Sequence, residues 1–177
     1  MKLSLRYQVR PPGHFLAGIQ EALAGVWAES ANDYAAKYWA AEAAKKAPPK
    51  GVQAQINQVI EKKLRIEGWE GTDGRFVRNN TFLRVTFRHQ MSLGSDFMDA
   101  LMLAQREGIE CAVIAAAALD FAKKITPRDF NSTVTFEKLV PYYTRVLPLF
   151  PIPLAIGELT PASVLAPDVE RLINQRR

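Results

Sequence analysis

Cysteine and histidine are scarce in this chain of 177 residues, which has one cysteine and two histidines. The single cysteine, Cys111, excludes an internal disulfide, and its apolar neighbours predict a buried thiol rather than a nucleophile. His14 and His89 are too few for a histidine-rich metal site. No apolar run approaches the ~20 residues of a membrane span, and the first residues lack a signal-peptide pattern, so we expect a cytoplasmic protein with no membrane partner.

Glycine-rich phosphate loops are also missing. Gly68, Gly71 and Gly74 flank one loop, but no strand precedes them and no helix follows in the order that a nucleotide site needs. We therefore expect no cofactor. Lysine and arginine (23) outnumber aspartate and glutamate (18), which gives a net charge of +5. Such a moderately basic chain permits a phosphate-rich partner without requiring one.

The first third of the chain has the apolar spacing of helices. Three helices are predicted, over Phe15 to Trp27, Tyr34 to Ala47 and Val52 to Glu67. Asn32 or Asp33 can cap the second helix, and Gly68 ends the third. We assign residues 1–68 to a helical layer.

The residues that follow predict a β-hairpin. Arg75 to Arg78 and Thr81 to Arg88 have strand-like alternation around Asn79-Asn80, which tolerate the positive φ of a tight turn. With this turn Arg75 lies directly opposite Arg84, and Thr86 and Arg88 share their face. The core side of the hairpin then carries Phe76, Leu83, Val85 and Phe87.

The remaining chain predicts a strand, helix and strand unit and a short end piece. Ser95 to Glu107 forms an amphipathic helix with Asp96 and Asp99 in its first turn, and Glu110 to Ala118 forms a buried strand. Further elements are expected as a strand over Asn131 to Phe136, a turn or helix over Glu137 to Leu147 broken at Pro141, a strand over Ile152 to Leu159, and a helix from Pro167. We predict one α/β domain over 1–177, in which 69–160 form the sheet core and 161–177 a C-terminal helix.

Four segments carry a resemblance to a known family. RFVRNNTFLRVTF, SDFMDALMLAQREGIECAVIAA, NSTVTFEKL and FPIPLAIGELTP resemble, in length and order, the core of the BglII and BstYI family of type II restriction endonucleases, within the PD-(D/E)xK superfamily. The resemblance runs from about Phe15 to Pro161. It implies a restriction-endonuclease-like mixed central sheet flanked by helices, a DNA partner, and a homodimer or a subunit of a larger assembly.

The resemblance breaks at the metal site. The family places an aspartate on its first strand and a glutamate on its second, followed two residues later by lysine or glutamine, and these groups hold Mg²⁺. Those positions fall on Arg75, Arg84 and Thr86, which provide no carboxylate for a cation that takes oxygen ligands. A register shift to Asp73 restores one acid. We expect that nuclease activity is lost, although Glu70, Asp96, Asp99 and Glu110 remain as migrated ligands.

The two facing arginines have two interpretations. Like charges directly opposite each other are destabilising unless something lies between them, so Arg75 and Arg84 can clamp a phosphate where the family holds metal. Alternatively, both side chains point into water or pair with Glu70, Asp73 or Glu110.

A second group of candidates follows from the resemblance. Asn131-Ser132-Thr133 aligns with the family segment that reads bases in the major groove, and Lys123, Lys124 and Arg128 in the preceding loop suit phosphates. The same residue types also fill ordinary turns. The predicted nucleic-acid-binding residues are Arg75, Arg84, Thr86, Arg88, Lys123, Lys124, Arg128, Asn131, Ser132 and Thr133, with no catalytic or metal-binding residue among them.

Three functions are compatible with these features. The first is a catalytically inactive endonuclease-like protein that binds DNA or another nucleic acid. The second is an active endonuclease with migrated carboxylates, and the third is a structural or protein-interaction scaffold. Mg²⁺-dependent nicking favours the second, and absence of both cleavage and salt-sensitive binding favours the third.

Overall fold

The computed structural model describes residues 1–5, 13–127 and 129–175, and for residues 13–17 it describes the backbone alone. The candidate Arg128 and the side chain of His14 therefore lie outside the described residues. The helices are α1 (Gly13–Leu23), α2 (Val26–Ala43), α3 (Gln53–Ile66), α4 (Leu93–Arg106), α5 (Leu119–Ile125), α6 (Phe136–Val146) and α7 (Pro167–Asn174). The strands are β1 (Lys2–Leu5), β2 (Glu70–Thr72), β3 (Arg75–Arg78), β4 (Thr81–Thr86), β5 (Cys111–Ala117) and β6 (Leu154–Thr160).

The strands form one mixed six-stranded sheet in the order β1-β6-β5-β4-β3-β2. The central strands β4, β5 and β6 are parallel. Strand β1 pairs antiparallel with β6 on one side, and on the other side β3 pairs antiparallel with β4 and β2 with β3. Helices cover both faces, so the predicted α/β class with a mixed sheet flanked by helices is confirmed. No helix of the described residues is long and apolar enough to cross a membrane.

The hairpin has the predicted register. Arg75 pairs with Arg84 and Arg78 with Thr81, and the turn residues Asn79 and Asn80 have φ values of 47° and 56°. Both values lie in the left-handed region that asparagine tolerates, as a two-residue hairpin turn requires. The sequence alone therefore predicts which side chains share each face of this hairpin.

Alternate residues of the central strands pack into separate cores. One core lies under α1, α2, α3, α5 and α7 and includes Phe76, Leu83, Val85 and Phe87, as predicted. The other lies under α4 and α6 and includes Phe82, Ile114 and Ile156. Arg84 and Thr86 follow Phe82 at two-residue intervals, so their side chains point to the α4 side.

The predicted N-terminal helices had the wrong boundaries. Gly25, with φ of 72°, separates α1 from α2, so Trp27 lies in the first turn of the second helix instead of ending the first. Asn32 and Asp33 lie inside α2 and do not cap it. The first segment also contains β1, which pairs with the sheet edge at β6, so residues 1–68 are not a purely helical layer.

The segment around residues 119–147 also differs from the prediction. Lys123 and Lys124 lie on helix α5 and not in a loop. Asn131 to Phe136 forms no strand, since only an isolated bridge joins Thr133 to His89. Helix α6 starts at Phe136 and continues through Pro141 without a break.

Candidate functional site

The carboxyl ends of β4, β5 and β6 meet at one edge of the sheet, because these strands are parallel. In open α/β sheets this edge is the usual location of ligands. Arg88 follows the end of β4 at this edge. Arg84 and Thr86 lie four and two residues before it on β4, on the face of the sheet that α4 covers.

Arg84 forms a buried ion pair with Asp96 of α4. Its Nε donates to Asp96 Oδ1 over 2.8 Å, and neither side chain is exposed. Its Nη1 donates to the backbone carbonyl of Asp73 over 2.7 Å. Arg84 Nη2 and Asp96 Oδ2 are buried without a hydrogen-bond partner among the described residues. The guanidinium is therefore held inside the protein by groups of the chain itself.

The electrostatics of this pair follow from its burial. Burial lowers the pKa of Arg84, the carboxylate of Asp96 opposes that shift, and the charges of Arg88 and Arg75 add to it. Because a guanidinium stays protonated in proteins, the side chain remains a cation that needs a counter-ion. Asp96 is the acid that provides it.

Arg75 is paired as well, but near the surface. Its Nη2 lies 2.7 Å from Asp99 Oδ2, with side-chain exposures of 49% for the arginine and 24% for the aspartate. This contact is an ion pair by distance, although Asp99 Oδ2 does not meet the geometry of a hydrogen bond. The Arg75 head remains accessible to solvent, and an exposed pair of this kind is weak.

The sequence-based picture of two arginines sharing one anion does not describe this structure. Arg75 and Arg84 are opposite in register, as predicted, but each guanidinium binds its own carboxylate. The acids were also misassigned, because they come from α4 and not from Glu70, Asp73 or Glu110. The spacing of Asp96 and Asp99 places both on one side of a helix, and this signal was available in the sequence.

Of Arg75, Arg84 and Arg88, Arg88 is the one whose guanidinium lies at the carboxyl ends of the parallel strands. Its Nη1 lies 3.5 Å from Asp96 Oδ1, and its side chain is 40% exposed. Thr86 is buried, and its hydroxyl lies 3.5 Å from the backbone nitrogen of Arg88, where it acts as an acceptor. Thr86 therefore supports the chain before Arg88 and is not available to a large ligand.

Backbone hydrogen bonds hold the loop over residues 129–134 next to Arg88 and Gln90. The backbone nitrogen of Val134 donates to the Arg88 carbonyl over 2.8 Å, and that of Gln90 donates to the Ser132 carbonyl over 2.6 Å. Lys138, which the sequence did not single out, donates from Nζ to the carbonyls of Asn131 and Thr133. These contacts bring the predicted base-reading segment to the same edge as Arg88.

The three predicted base-reading side chains differ in availability. Ser132 Oγ and Thr133 Oγ1 both donate to the Asp129 carbonyl, over 2.9 Å and 3.0 Å, and Thr133 is buried. The Asn131 side chain is exposed. Ser132 and Thr133 thus have roles within the turn, whereas His89, which directly follows Arg88, and Asn131, at the far end of the docked loop, are exposed.

The two predicted lysines lie on helix α5, which precedes the loop over residues 129–134. Lys123 Nζ is 3.0 Å from Asp120 Oδ1 and 6.0 Å from the centre of the Phe130 ring. Lys124 Nζ is 3.8 Å from Glu170 Oε1 on α7. Lys124 therefore contacts the α7 side of the sheet, whereas Lys123 lies next to the loop that carries Asn131.

The acids of this region do not assemble a metal site. Among residues 1–5, 13–127 and 129–175, no group of three or more histidine, cysteine, aspartate or glutamate side chains is placed to hold a metal ion. Asp96 is instead bound by two arginines. A cation at Asp96 would have to displace both guanidiniums.

Comparisons with known proteins concern the fold alone. No protein-family model and no curated protein matches the chain. The chain is similar to the crystal structure of restriction endonuclease BglII complexed with a DNA 16-mer, at 19% identity and a TM-score of 0.47, over 58% of this chain and 52% of that chain. It is also similar to free BglII, at 15% identity and a TM-score of 0.48, over 62% of this chain and 59% of that chain. The chain thus spans less than two thirds of BglII.

Proposed function

We propose that this protein binds nucleic acid at the carboxyl edge of its sheet and leaves it uncut. The observation that carries the proposal is Arg88, a half-exposed guanidinium at the end of a parallel strand. His89, the next residue, and Asn131, on the loop that bonds to Arg88 and Gln90, add exposed polar groups suited to base edges or phosphates. The chain's net charge of +5 favours a polyanionic partner.

The absence of cleavage rests on the same cluster. The positions that the sequence resemblance assigns to metal-binding acids hold Arg75 and Arg84, and both are cationic. A divalent ion finds no free carboxylate at these positions, because Asp99 is paired with Arg75 and Asp96 with Arg84. Asp96, the buried acid nearest to these positions, is neutralised by Arg84.

The experiment that tests this function measures binding and cleavage on one sample. Duplex DNA is incubated with protein at concentrations that saturate binding, with Mg²⁺ or Mn²⁺, and analysed on native and denaturing gels. We expect a retarded complex and intact strands. Arg65→Ala is the matched control for Arg88→Ala, because Arg65 is an exposed arginine that pairs with Glu61 over 2.7 Å on α3.

The alternatives give different results in the same experiment. Metal-dependent cuts that disappear in Asp96→Ala or Asp73→Ala would establish an active endonuclease with migrated carboxylates. Absence of both complex and cuts would favour the scaffold interpretation. Equal loss of binding in Arg88→Ala and Arg65→Ala would remove Arg88 from the site.

Self-association, which the sequence resemblance implies, is also a proposal. The outer side of α4 and the turn before it expose the apolar side chains of Met91, Met98 and Met102. Exposed apolar patches often mark protein contacts. Light scattering behind a sizing column should report a dimer that Met98→Glu dissociates and the control Val164→Glu does not, and a monomeric parent protein would refute it.

A further inference from the structure

Asp96 lies between two arginines that differ in exposure. Its Oδ1 is 2.8 Å from Nε of Arg84, which is buried, and 3.5 Å from Nη1 of Arg88, which is 40% exposed. Two guanidiniums and one carboxylate leave one net positive charge. Because Arg84 is closer and cannot reach solvent, that charge is presented by Arg88.

Arg84 is buried and cannot contact a nucleic acid, but it neutralises the carboxylate of Asp96. Were Arg84 absent, Asp96 would be a buried carboxylate whose nearest cation is Arg88. An unpaired buried charge is costly, so Arg88 would be drawn inward to neutralise it. The Asp96–Arg88 pair would then carry no net charge, so Arg88 would no longer present a positive charge at the carboxyl edge.

We propose that Arg84 is a positioning residue that, by occupying Asp96, keeps the Arg88 guanidinium available to a phosphate group. This inference rests on the proposed function, since it assigns the phosphate of a nucleic acid to Arg88. In this role Arg84 does not contact phosphate itself. It affects nucleic-acid binding only while Asp96 is present to compete for Arg88.

The test is a double-mutant comparison of DNA binding as a function of salt. Arg84→Met should lose about one phosphate contact and reduce the steepness of log K against log salt by about 0.9, as Arg88→Met does. Arg84→Met with Asp96→Leu removes the pair together and leaves Arg88 charged. This double variant should keep the parental slope, with an affinity loss of no more than about fivefold, the value of one exposed ion pair.

The double variant decides between the two roles of Arg84. A slope as shallow as that of Arg84→Met would show that Arg84 contacts phosphate itself and would overturn the inference. If Arg84→Met does not fold, the double variant is compared with the parent and with Arg88→Met, and the same two outcomes apply. Replacement of a buried ion pair by apolar residues is often tolerated, so the double variant is expected to fold.

A second measurement needs no nucleic acid. The Nε proton of Arg88 can be followed by nuclear magnetic resonance, and its exchange with water should slow in Arg84→Met and remain at or above the parental rate in the double variant. Unchanged exchange in Arg84→Met would overturn the inference even if the parent binds DNA. If exchange of the Arg88 Nε proton changes in the variants as expected but the parent does not bind DNA, the proposed function is refuted and the positioning role of Arg84 stands.

Discussion

The guanidinium of Arg84 and the carboxylate of Asp96 meet 2.8 Å apart in the interior, and neither side chain is exposed to solvent. This contact joins the hairpin strand β4 to the first turn of α4. It occupies the place to which the sequence resemblance assigns a metal-binding acid. Under the proposed function, stability, ligand availability and metal exclusion depend on the same two side chains.

Removal of either partner should destabilise the protein strongly. Arg84→Ala leaves the buried carboxylate with one remaining partner, the half-exposed Arg88 at 3.5 Å, and the cost of breaking a buried pair is about 3–5 kcal/mol in the free energy of unfolding. Arg75→Ala is the control, since its exposed pair with Asp99 is worth at most about 1 kcal/mol. Urea unfolding followed by circular dichroism measures both, and equal losses would mean that Arg84 is not the buried anchor described here.

The turn between β2 and β3 should tolerate no side chain at Gly74. Its φ is 78°, and an added Cβ would lie 2.3 Å from the carbonyl oxygen of Val85. Gly74→Ala should therefore lower the free energy of unfolding by about 1–3 kcal/mol. Gly94→Ala on α4 is the control, because nothing lies within 4 Å of its added Cβ, and we expect no loss or a gain of up to about 1 kcal/mol. A Gly74→Ala variant as stable as its parent would contradict this turn geometry.

Cys111 should be unreactive in the folded protein. The thiol is buried on β5, and burial raises its pKa to about 11. At pH 8 the reactive thiolate is therefore scarce, and Ellman's reagent should react only after unfolding in urea. Reaction of the native protein at the rate of the unfolded chain would show that Cys111 is accessible.

The hairpin was predictable because its information is local. A two-residue alternation and the Asn79-Asn80 turn fix which residues face each other. Asp73-Gly74 is an equally clear turn signal, and it indicates β2, which is absent from the predicted elements. The break at Gly25 was missed because the apolar helical spacing continues across it. Gly25, whose φ of 72° glycine adopts without strain, marks that boundary.

The arginine partners depend on contacts distant in sequence. Register shows that Arg75 and Arg84 are opposite, but which acid reaches each guanidinium depends on how α4 crosses the sheet. The expected strand at Asn131 to Phe136 failed for a related reason. Its backbone groups bond to Arg88 and Gln90 in a docked loop, and Phe136 already begins α6.

A salt titration of DNA binding tests whether Arg88 binds nucleic acid through phosphate. Fluorescence anisotropy of labelled duplex DNA is measured from low to physiological salt for the parent, Arg88→Ala and Arg65→Ala. We expect a linear fall of log K with log salt, a slope shallower by about 0.9 in Arg88→Ala, and an unchanged slope in Arg65→Ala. Salt-insensitive binding, or an Arg88→Ala slope equal to that of the parent, would contradict it.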